Sequence, residues 1–223
     1  MCGRFTLTLD PEQLADIFPW ATISPEITPR YNIAPTQSIA VIPNTGESRI
    51  DFYRWGLIPS WAKDPAIGAR LINARAETLT EKPSFRTALK RRRCLIPADG
   101  FYEWQSSAEG KSKTPMYIRL KSREAFAFAG LWDIWTAPDS SEIRTCTIIT
   151  TQPNWLIAPI HDRMPVILPK EMYSQWIDSG EVNPVIFTNK LIPYPAEEME
   201  AYPVSKSVNS PNNDTASLIL PVV

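Results

Sequence analysis

Hydrophobic and polar positions alternate along much of this chain, with the period of two that is typical of β-strands. Within residues 49–55, for example, Ile50 and Phe52 alternate with Asp51 and Tyr53. Other short runs are rich in β-branched and aromatic residues and are bounded by turn-forming residues, which also predicts strands. The predicted strands are residues 38–42, 49–55, 94–97, 116–120, 125–131 and 144–150.

Helix signals are fewer and predict only short helices. Asp10 is expected to be an N-cap, because Pro11 follows at the first helical position and Gln13 occupies the reciprocal capping position. This helix should end before Pro19. The other predicted helices are residues 84–92, 170–177 and 196–201. The basic residues 90–93 at the end of the second helix suit its negative dipole end, or are a solvated helix terminus.

The order of these elements predicts the fold class. Strands and helices do not alternate regularly, which favours antiparallel over parallel pairing. The chain has 223 residues, 43% of them hydrophobic, so it can bury a substantial core. We therefore expect an α+β fold: a single β-rich domain over residues 1–223, with a mainly antiparallel sheet or barrel-like core and several short peripheral helices. The polar residues 205–214 are expected to form a surface loop.

Charge and composition restrict the classes of partner and the compartment. The 23 basic and 24 acidic residues nearly cancel, so binding to nucleic acid would require a local basic patch. The chain start has neither a basic region nor a long apolar region, and no segment approaches the ~20 apolar residues of a membrane span. An intracellular protein without membrane contact is expected. Its three widely spaced cysteines are then expected to be free thiols.

Cys2 has special chemistry if the initiator methionine is removed, because it then carries a free amine beside its thiol. The α-amine has an ordinary pKa of ~7.7 to 8.0 and the thiol one of ~8.5, so both are near reactive range at neutral pH. An amine condenses with an aldehyde to give an imine, and the neighbouring thiol then closes a five-membered thiazolidine ring. Alternatively, Cys2 is an inert cysteine at position 2.

The chain contains one histidine, His161, flanked by Asp162 and Arg163 on a segment bounded by prolines. Any histidine-assisted proton transfer must therefore use this residue. It could equally be a surface or packed residue without a chemical role. Zinc binding by His161 and the three cysteines is disfavoured, since short ligand spacings are missing. No metal is expected.

Two further segments bring polar side chains together. Asn73, Arg75 and Glu77 occupy alternating positions and would share one face of an extended segment. Glu103 follows a turn-forming Asp-Gly pair and lies between two aromatic residues, where desolvation would raise its pKa toward the range of general acid-base catalysis. The alternatives are an ordinary polar strand face for the first segment and a water-exposed Glu103 for the second.

Aromatic and basic residues also occur together, as a site for single-stranded nucleic acid requires. Residues 55–61 place two tryptophans at either end of a tight loop, and arginines including Arg86 are spread through the neighbouring sequence. Tryptophans are also common core residues. This pairing is therefore compatible with a core as well as with a binding surface.

In combination, these segments resemble the SOS response-associated peptidase family. The similarity extends over nearly the whole chain, and the order of the motifs matches as well as their content. The matching segments are residues 1–5, 30–36, 55–61, 73–78, 94–104, 129–132, 150–151 and 161–168.

The resemblance implies a sensor that crosslinks covalently to abasic sites in single-stranded DNA. Cys2 would be the nucleophile that traps the ring-opened sugar aldehyde as a thiazolidine and so shields the lesion. Asn73 would hold the Cys2 main chain or amine, Glu103 would move protons, and His161 would hydrogen-bond the sugar oxygen. The family name suggests thiol-dependent self-removal of Met1, although a small second residue also permits removal by an aminopeptidase. A secondary abasic-site lyase activity through the imine is also implied.

The resemblance also implies a DNA-contacting surface. Arginines would hold the phosphates that flank the lesion, and a tryptophan would stack on or wedge beside an adjacent base. The implied DNA-binding residues are Arg4, Arg75, Arg163, Trp61, Thr150 and Arg86.

The expected protein is thus a monomer that needs no cofactor, is cytoplasmic and associates with the nucleoid during DNA damage. Two other functions fit the same residues. One is a cysteine peptidase acting on other proteins, with Cys2 as nucleophile, His161 as base and Asn73 orienting the histidine. The other is a non-covalent reader of modified DNA bases, in which Cys2 has no role.

Overall fold

A computed structural model of the protein describes residues 2–107, 109–110 and 112–222. The strands β1 to β13 are, in chain order, Phe5–Leu7, Arg30–Ile33, Ser38–Pro43, Asp51–Trp55, Asn73–Arg75, Arg93–Ala98, Gly100–Ser106, Lys113–Leu120, Phe126–Thr136, Glu142–Thr151, Met164–Pro165, Ile167–Leu168 and Met199–Pro203. The α-helices α1 to α4 are Pro11–Ile17, Pro83–Arg91, Tyr173–Trp176 and Val185–Thr188. The 3₁₀ turns are Pro65–Arg70, Ala76–Thr78, Lys170–Met172, Ala196–Glu198, Lys206–Asn209 and Ala216–Ile219.

The strands form two sheets, and one of them closes on itself. Strands β10, β4, β3, β6 and β9 pair in that order, and β9 pairs back with β10, which makes a five-stranded barrel. Within this ring only the pairing of β10 with β4 is parallel. Closure leaves the ring without free edges. The second sheet is antiparallel throughout, in the order β13-β8-β7-β1-β2.

Aromatic side chains join the two sheets into one core. Phe5 of β1 and Phe101 of β7 both pack edge-on against Phe128 of β9, at centroid distances of 5.8 and 6.1 Å. Phe5 also contacts the ring of Trp55 at 5.2 Å. These side chains are almost completely buried and belong to the large hydrophobic cluster that fills the molecule. Burial of such rings is a main source of stabilisation in a core of this kind.

The β-rich α+β fold with a barrel-like, mainly antiparallel core is confirmed. Each predicted strand is present, with ends that differ by a few residues. The first helix is also confirmed: Asp10 accepts a hydrogen bond from the Gln13 backbone amide, and the Gln13 side chain accepts one from the Asp10 amide. The predicted helix at 170–177 is divided into a 3₁₀ turn and α3.

One sequence-based prediction was wrong because tertiary pairing prevails over local propensity. The segment 196–201 is a 3₁₀ turn followed by β13, which pairs with β8 along five residues. The tail at residues 205–214 is mostly exposed, in agreement with the predicted surface loop, and it contains one 3₁₀ turn. Val208 is completely buried in it, and the Val208 carbonyl accepts hydrogen bonds from Arg4 and Asn32.

Arg93, expected at a solvated helix end, is completely buried. It is the first residue of β6, and its guanidinium donates to five main-chain carbonyls. These acceptors are Leu89, Lys90, Trp176, Asp178 and Gly180. The side chain therefore caps the carbonyl end of α2 and ties it to α3 and to the loop that follows.

We predict that Arg93→Met lowers the free energy of unfolding by about 3 kcal/mol or more, because it leaves buried carbonyls without donors. Urea unfolding measures this loss. The matched control is Arg91→Met, which removes an exposed arginine paired with Glu181 and should change stability by about 0.5 kcal/mol or less. Equal losses in the two variants would contradict the capping role of Arg93.

Candidate active site

The site forms where the N-terminal segment pairs with β7. The register places Phe5 opposite Phe101 and Thr6 opposite Gly100, and the Tyr102 amide donates to the Arg4 carbonyl at 2.9 Å. Since the two strands are antiparallel, each step back from Phe5 moves one residue forward along β7. Residue 2 is thereby carried to the level of residues 103 and 104.

Cys2 is completely buried, and Asn73 holds its main chain. The Asn73 side-chain amide donates to the Cys2 carbonyl at 2.8 Å, which is the contact expected from the sequence. Asn73 begins β5, which pairs in parallel with β10 and so is fixed to the barrel. Within the described part of the chain, the other polar atom of this side chain, Oδ1, is buried without a hydrogen-bond partner. It is available to a donor that approaches Cys2.

Glu103 is a nearly buried carboxyl group, only 2% exposed. Desolvation raises its pKa to about 7, and Asp162 contributes in the same direction. The predicted cause was wrong in one respect, because the flanking Tyr102 and Trp104 pack in a separate cluster that contains Tyr117. They lie on the other face of β7, as strand alternation requires. Glu103 is therefore desolvated because it is buried where the N-terminal segment pairs with β7. Its sequence neighbours Tyr102 and Trp104 do not enclose it.

Burial shifts the pKa of Cys2 in the same direction as that of Glu103. Burial raises the pKa of the Cys2 thiol far above its usual range, and the charge of Glu103 raises it further. The two groups are therefore close enough to interact electrostatically. At neutral pH the thiol is therefore protonated, whereas Glu103 is divided between its two protonation states.

His161 completes this group from the opposite side. Its Nε2 lies 3.8 Å from Glu103 Oε2, and the backbone amide of Arg163 donates to its Nδ1 at 3.0 Å. Burial lowers the pKa of His161, although the nearby Asp162 acts in the opposite direction. Asp162 Oδ1 also lies 2.9 Å from Nδ1, so the Arg163 amide favours a proton on Nε2, facing Glu103, whereas Asp162 favours one on Nδ1. The structure thus brings Cys2, Asn73, Glu103 and His161 together; their catalytic roles stay predictions.

The predicted phosphate-binding arginines differ in what they already contact. Arg4 donates to Asn32 Oδ1 and the Val208 carbonyl, both at 2.6 Å, and lies 5.8 Å from the Trp104 ring centre. Arg163 is held by Glu77 in a two-point ion pair. Both side chains therefore also have structural contacts within the protein.

The remaining predicted DNA contacts lie on β5, α2 and β10. Arg75 ends β5 and is exposed, whereas Glu77 has left the strand for a 3₁₀ turn, so the expected single extended face holds only for Asn73 and Arg75. Arg86 is exposed on α2, whose buried side packs on β6 and β9. Thr150 is buried on β10 opposite Arg75, and its carbonyl accepts a hydrogen bond from an Arg163 side-chain nitrogen.

Trp61 is 58% exposed on a loop that is fastened firmly to the barrel. The Ser60 amide donates to Asp133 at 3.0 Å, and the Trp135 ring nitrogen donates to the Ala62 carbonyl at 2.7 Å. At the start of the loop Gly56 has a φ of +131°, and a Cβ there would lie 2.6 Å from the Gly68 carbonyl oxygen. The exposed indole is consequently held on a rigid support.

Sequence reasoning did not single out Trp155, the most exposed tryptophan at 68%. It lies on a turn fixed by Asn154, whose side chain accepts from the Ile157 amide and donates to the Tyr194 carbonyl. The turn leads directly to His161. A large aromatic residue between two prolines, just before the single histidine, was the available signal.

No cluster of three or more potential metal ligands occurs among the described residues. Cys94 and Cys146 are buried free thiols like Cys2. In the described ranges there is also no helix of the length and hydrophobicity needed to cross a membrane.

Comparisons with known proteins agree on one family. Residues 1–211 match the family model described as SOS response associated peptidase (SRAP). The chain is 51% identical over 222 residues to the abasic site processing protein YoqW of Bacillus subtilis (strain 168), with 98% of this chain and 99% of that protein covered. It is 31% identical to the abasic site processing protein HMCES of Xenopus tropicalis, covering 100% of this chain and 79% of that protein. A crystal structure from Bacteroides thetaiotaomicron superposes with a TM-score of 0.88 at 27% identity, with both chains covered completely.

The raised pKa of Glu103 predicts a pH-dependent difference between the protein and its Glu103→Gln variant. Because the folded state binds the Glu103 proton more tightly than the unfolded state, this group stabilises the fold below pH 4.5, and the contribution is lost as the pH rises to about 7. Between pH 5 and pH 8 the protein should lose about 2 kcal/mol of unfolding free energy relative to the variant. Urea unfolding at both pH values tests this. Glu171→Gln, at an exposed position, is the control, and parallel pH profiles for Glu103→Gln and the unchanged protein would refute the assignment.

Proposed function

This chain belongs to the SOS response associated peptidase family, and on that basis we propose that it processes abasic sites in single-stranded DNA by forming a covalent crosslink through Cys2. The crosslink requires removal of Met1, which converts the Cys2 nitrogen from an amide to an amine. The observation that supports the proposal most is the placement of Cys2: Asn73 holds its carbonyl, and a carboxyl group with a pKa of about 7 lies beside it.

The proposed reaction joins one aldehyde and one aminothiol with loss of one water. The Cys2 amine adds to the open-chain aldehyde of the abasic sugar to give a carbinolamine, which loses water to form an imine. The Cys2 thiol then adds to the imine carbon, its proton passes to the nitrogen, and a thiazolidine results. Both nucleophiles belong to one residue, so ring closure is intramolecular and strongly favoured.

Glu103 suits the proton transfers that this sequence needs. A group with a pKa of about 7 is populated in both protonation states at neutral pH, so it can protonate the departing hydroxyl and later accept the thiol proton. His161, with its proton on Nε2, would donate to the sugar oxygen and assist ring opening. Asn73 Oδ1, which is buried without a described partner, would accept from the amine that Met1 removal creates.

The state of the thiol favours this order of steps over the peptidase alternative. A cysteine peptidase begins with attack by a thiolate, which requires a lowered thiol pKa. Here burial raises the pKa of Cys2 strongly. In the proposed reaction the amine attacks first, and the thiol needs to lose its proton only at ring closure, beside Glu103.

For DNA binding we propose that Trp61 stacks on a base next to the lesion while basic side chains contact the flanking phosphates. Arg75 is exposed and adjacent to the site, which suits a phosphate contact. Arg4, Arg163 and Arg86 are the other basic side chains proposed to contact phosphate. Thr150 is completely buried, so it would act on DNA only by holding Arg163 through its carbonyl. A crosslinked lesion would be shielded, and the imine intermediate also gives a chemical route to strand cleavage by β-elimination.

We expect Cys2→Ala to abolish the stable adduct with abasic single-stranded DNA, because it removes the thiol that closes the ring. Cys2→Ser retains the amine after Met1 removal and should give only a labile imine that borohydride traps. Intact mass after denaturation, measured on Met1-free protein, distinguishes these products. A stable adduct of equal yield in Cys2→Ala would refute the mechanism. A protein that retains Met1 should be unreactive in the same assay.

We expect Trp61→Ala to weaken binding to an oligonucleotide containing a tetrahydrofuran abasic analogue by about fivefold or more, since stacking on one base contributes about 1–3 kcal/mol. Fluorescence anisotropy at fixed salt measures the affinity. The control is Trp20→Ala, which removes another partly exposed tryptophan, 41% accessible, beyond the end of α1. The stacking role fails if the two variants bind equally well.

A further inference from the structure

Glu77 has a contact that the proposed mechanism does not use. It lies on the 3₁₀ turn after β5, and its two carboxylate oxygens each accept from a different nitrogen of Arg163, both at 2.8 Å. This two-point geometry is the strongest form of an arginine-carboxylate pair. The Arg163 side chain is only 11% exposed, so the pair is partly shielded from solvent. The hydrogen bonds from Arg163 hold the pKa of Glu77 below its usual range.

Arg163, held by Glu77, also forms hydrogen bonds to two other parts of the site. One of its side-chain nitrogens donates to the Thr150 carbonyl at 2.7 Å, near the end of β10. Its backbone amide donates to His161 Nδ1 at 3.0 Å. The position of residue 163 is therefore set through its side chain, and its main chain in turn contacts the imidazole.

The hydrogen bond from the Arg163 backbone amide to Nδ1 matters because it influences which nitrogen of His161 carries the proton. Asp162 Oδ1 lies 2.9 Å from the same Nδ1 and would favour a proton there. While the Arg163 amide occupies Nδ1, the proton of the neutral ring is on Nε2, which faces Glu103 at 3.8 Å. Without the hydrogen bond from the Arg163 amide, Asp162 would favour a proton on Nδ1, and Nε2 would become a hydrogen-bond acceptor. Among the described residues, the charge of Lys113 also acts on the ring, and it lowers the pKa of His161.

We propose that Glu77 is a positioning residue that fixes His161 through Arg163, so that the neutral imidazole presents a proton on Nε2 to the reaction centre. The effect on DNA crosslinking rests on the proposed function of this site. The effect on the imidazole itself is a property of the protein without DNA and can be measured separately.

The test is Glu77→Gln, which keeps the size of the side chain but weakens the two-point pair. The chain has a single histidine, so ¹⁵N chemical shifts of the imidazole report on His161 without assignment. Above the pKa of the ring, the protein should show the Nε2-protonated form, and Glu77→Gln should shift population to the Nδ1-protonated form. Arg163→Lys, which keeps the charge but lacks the fork, should do the same.

In the crosslinking assay, Glu77→Gln should react about tenfold more slowly at saturating DNA. General acid-base catalysis by a positioned group accelerates a reaction by roughly 10²- to 10⁴-fold, and we expect the variant to lose part of that acceleration. Its affinity for the tetrahydrofuran oligonucleotide should not fall, since the proposed role of Glu77 is to position His161, and Arg163 remains available to phosphate when the pair is weakened. Glu81→Gln is the matched control, an exposed glutamate four residues further along the chain, and it should change neither measurement. Urea midpoints confirm that the variants are folded.

The outcomes separate the inference from the proposed function. An unchanged imidazole tautomer in Glu77→Gln overturns the inference, and so does tighter DNA binding without a tautomer change, which would mean that Glu77 only withholds Arg163 from phosphate. A tautomer change together with slower crosslinking supports the inference. A tautomer change in a protein that forms no adduct even when Met1 is absent supports the positioning role of Glu77 and refutes the proposed function.

Discussion

The pairing of the short strand β1 with β7 is the interaction on which the site depends. Three residues would be a weakly held strand at a chain end, but a buried polar network fixes them. The Asp99 carboxylate accepts from the Thr6 hydroxyl at 2.5 Å, from the Thr8 amide at 2.7 Å and from the Thr8 hydroxyl, and Thr6 also contacts the Tyr117 hydroxyl at 2.9 Å. Because both oxygens of this carboxylate accept hydrogen bonds, its burial is tolerable. The network fixes the register of β1 with β7, and this register is what places Cys2 near Glu103.

The barrel supplies the other two groups through a single strand. β10 pairs with β5 on one side and with β11 on another, so the segment carrying Asn73 and the segment that follows His161 are both attached to it. The Glu77–Arg163 pair then links those two segments directly beyond the end of β5. Strand pairing thus brings the two segments near each other, and hydrogen bonds of side chains set the final positions, which are what proton transfer requires.

Sequence reasoning identified most of the elements and the four residues that the structure brings together, but not the contacts that connect them. The capping box at Asp10, the alternating strands and the motifs around Cys2, Asn73, Glu103 and His161 are local signals, readable within a few residues. The burial of Arg93 and the strand at 199–203 depend on partners more than 70 residues away. Glu77 was read as part of a polar strand face, since nothing local shows that its partner is 86 residues distant. The desolvation of Glu103 was anticipated, but its source was misplaced, because the aromatic neighbours in sequence lie on the opposite face of the strand.

The protonation states explain why this arrangement suits imine chemistry better than chemistry that relies on fixed charges. Burial raises the pKa of the Cys2 thiol, raises that of Glu103 to about 7 and lowers that of His161, so each of the three groups is moved toward its neutral form. Glu103, with a pKa of about 7, is charged in a fraction of the molecules at neutral pH and can then take a proton from an ammonium group beside it, which leaves a neutral, nucleophilic amine. Such a site also stabilises the fold less than an apolar core would, since the desolvation of polar groups costs free energy. The two arginines nearest in sequence to these groups are held apart from them, because Arg75 is exposed and Arg163 is paired with Glu77.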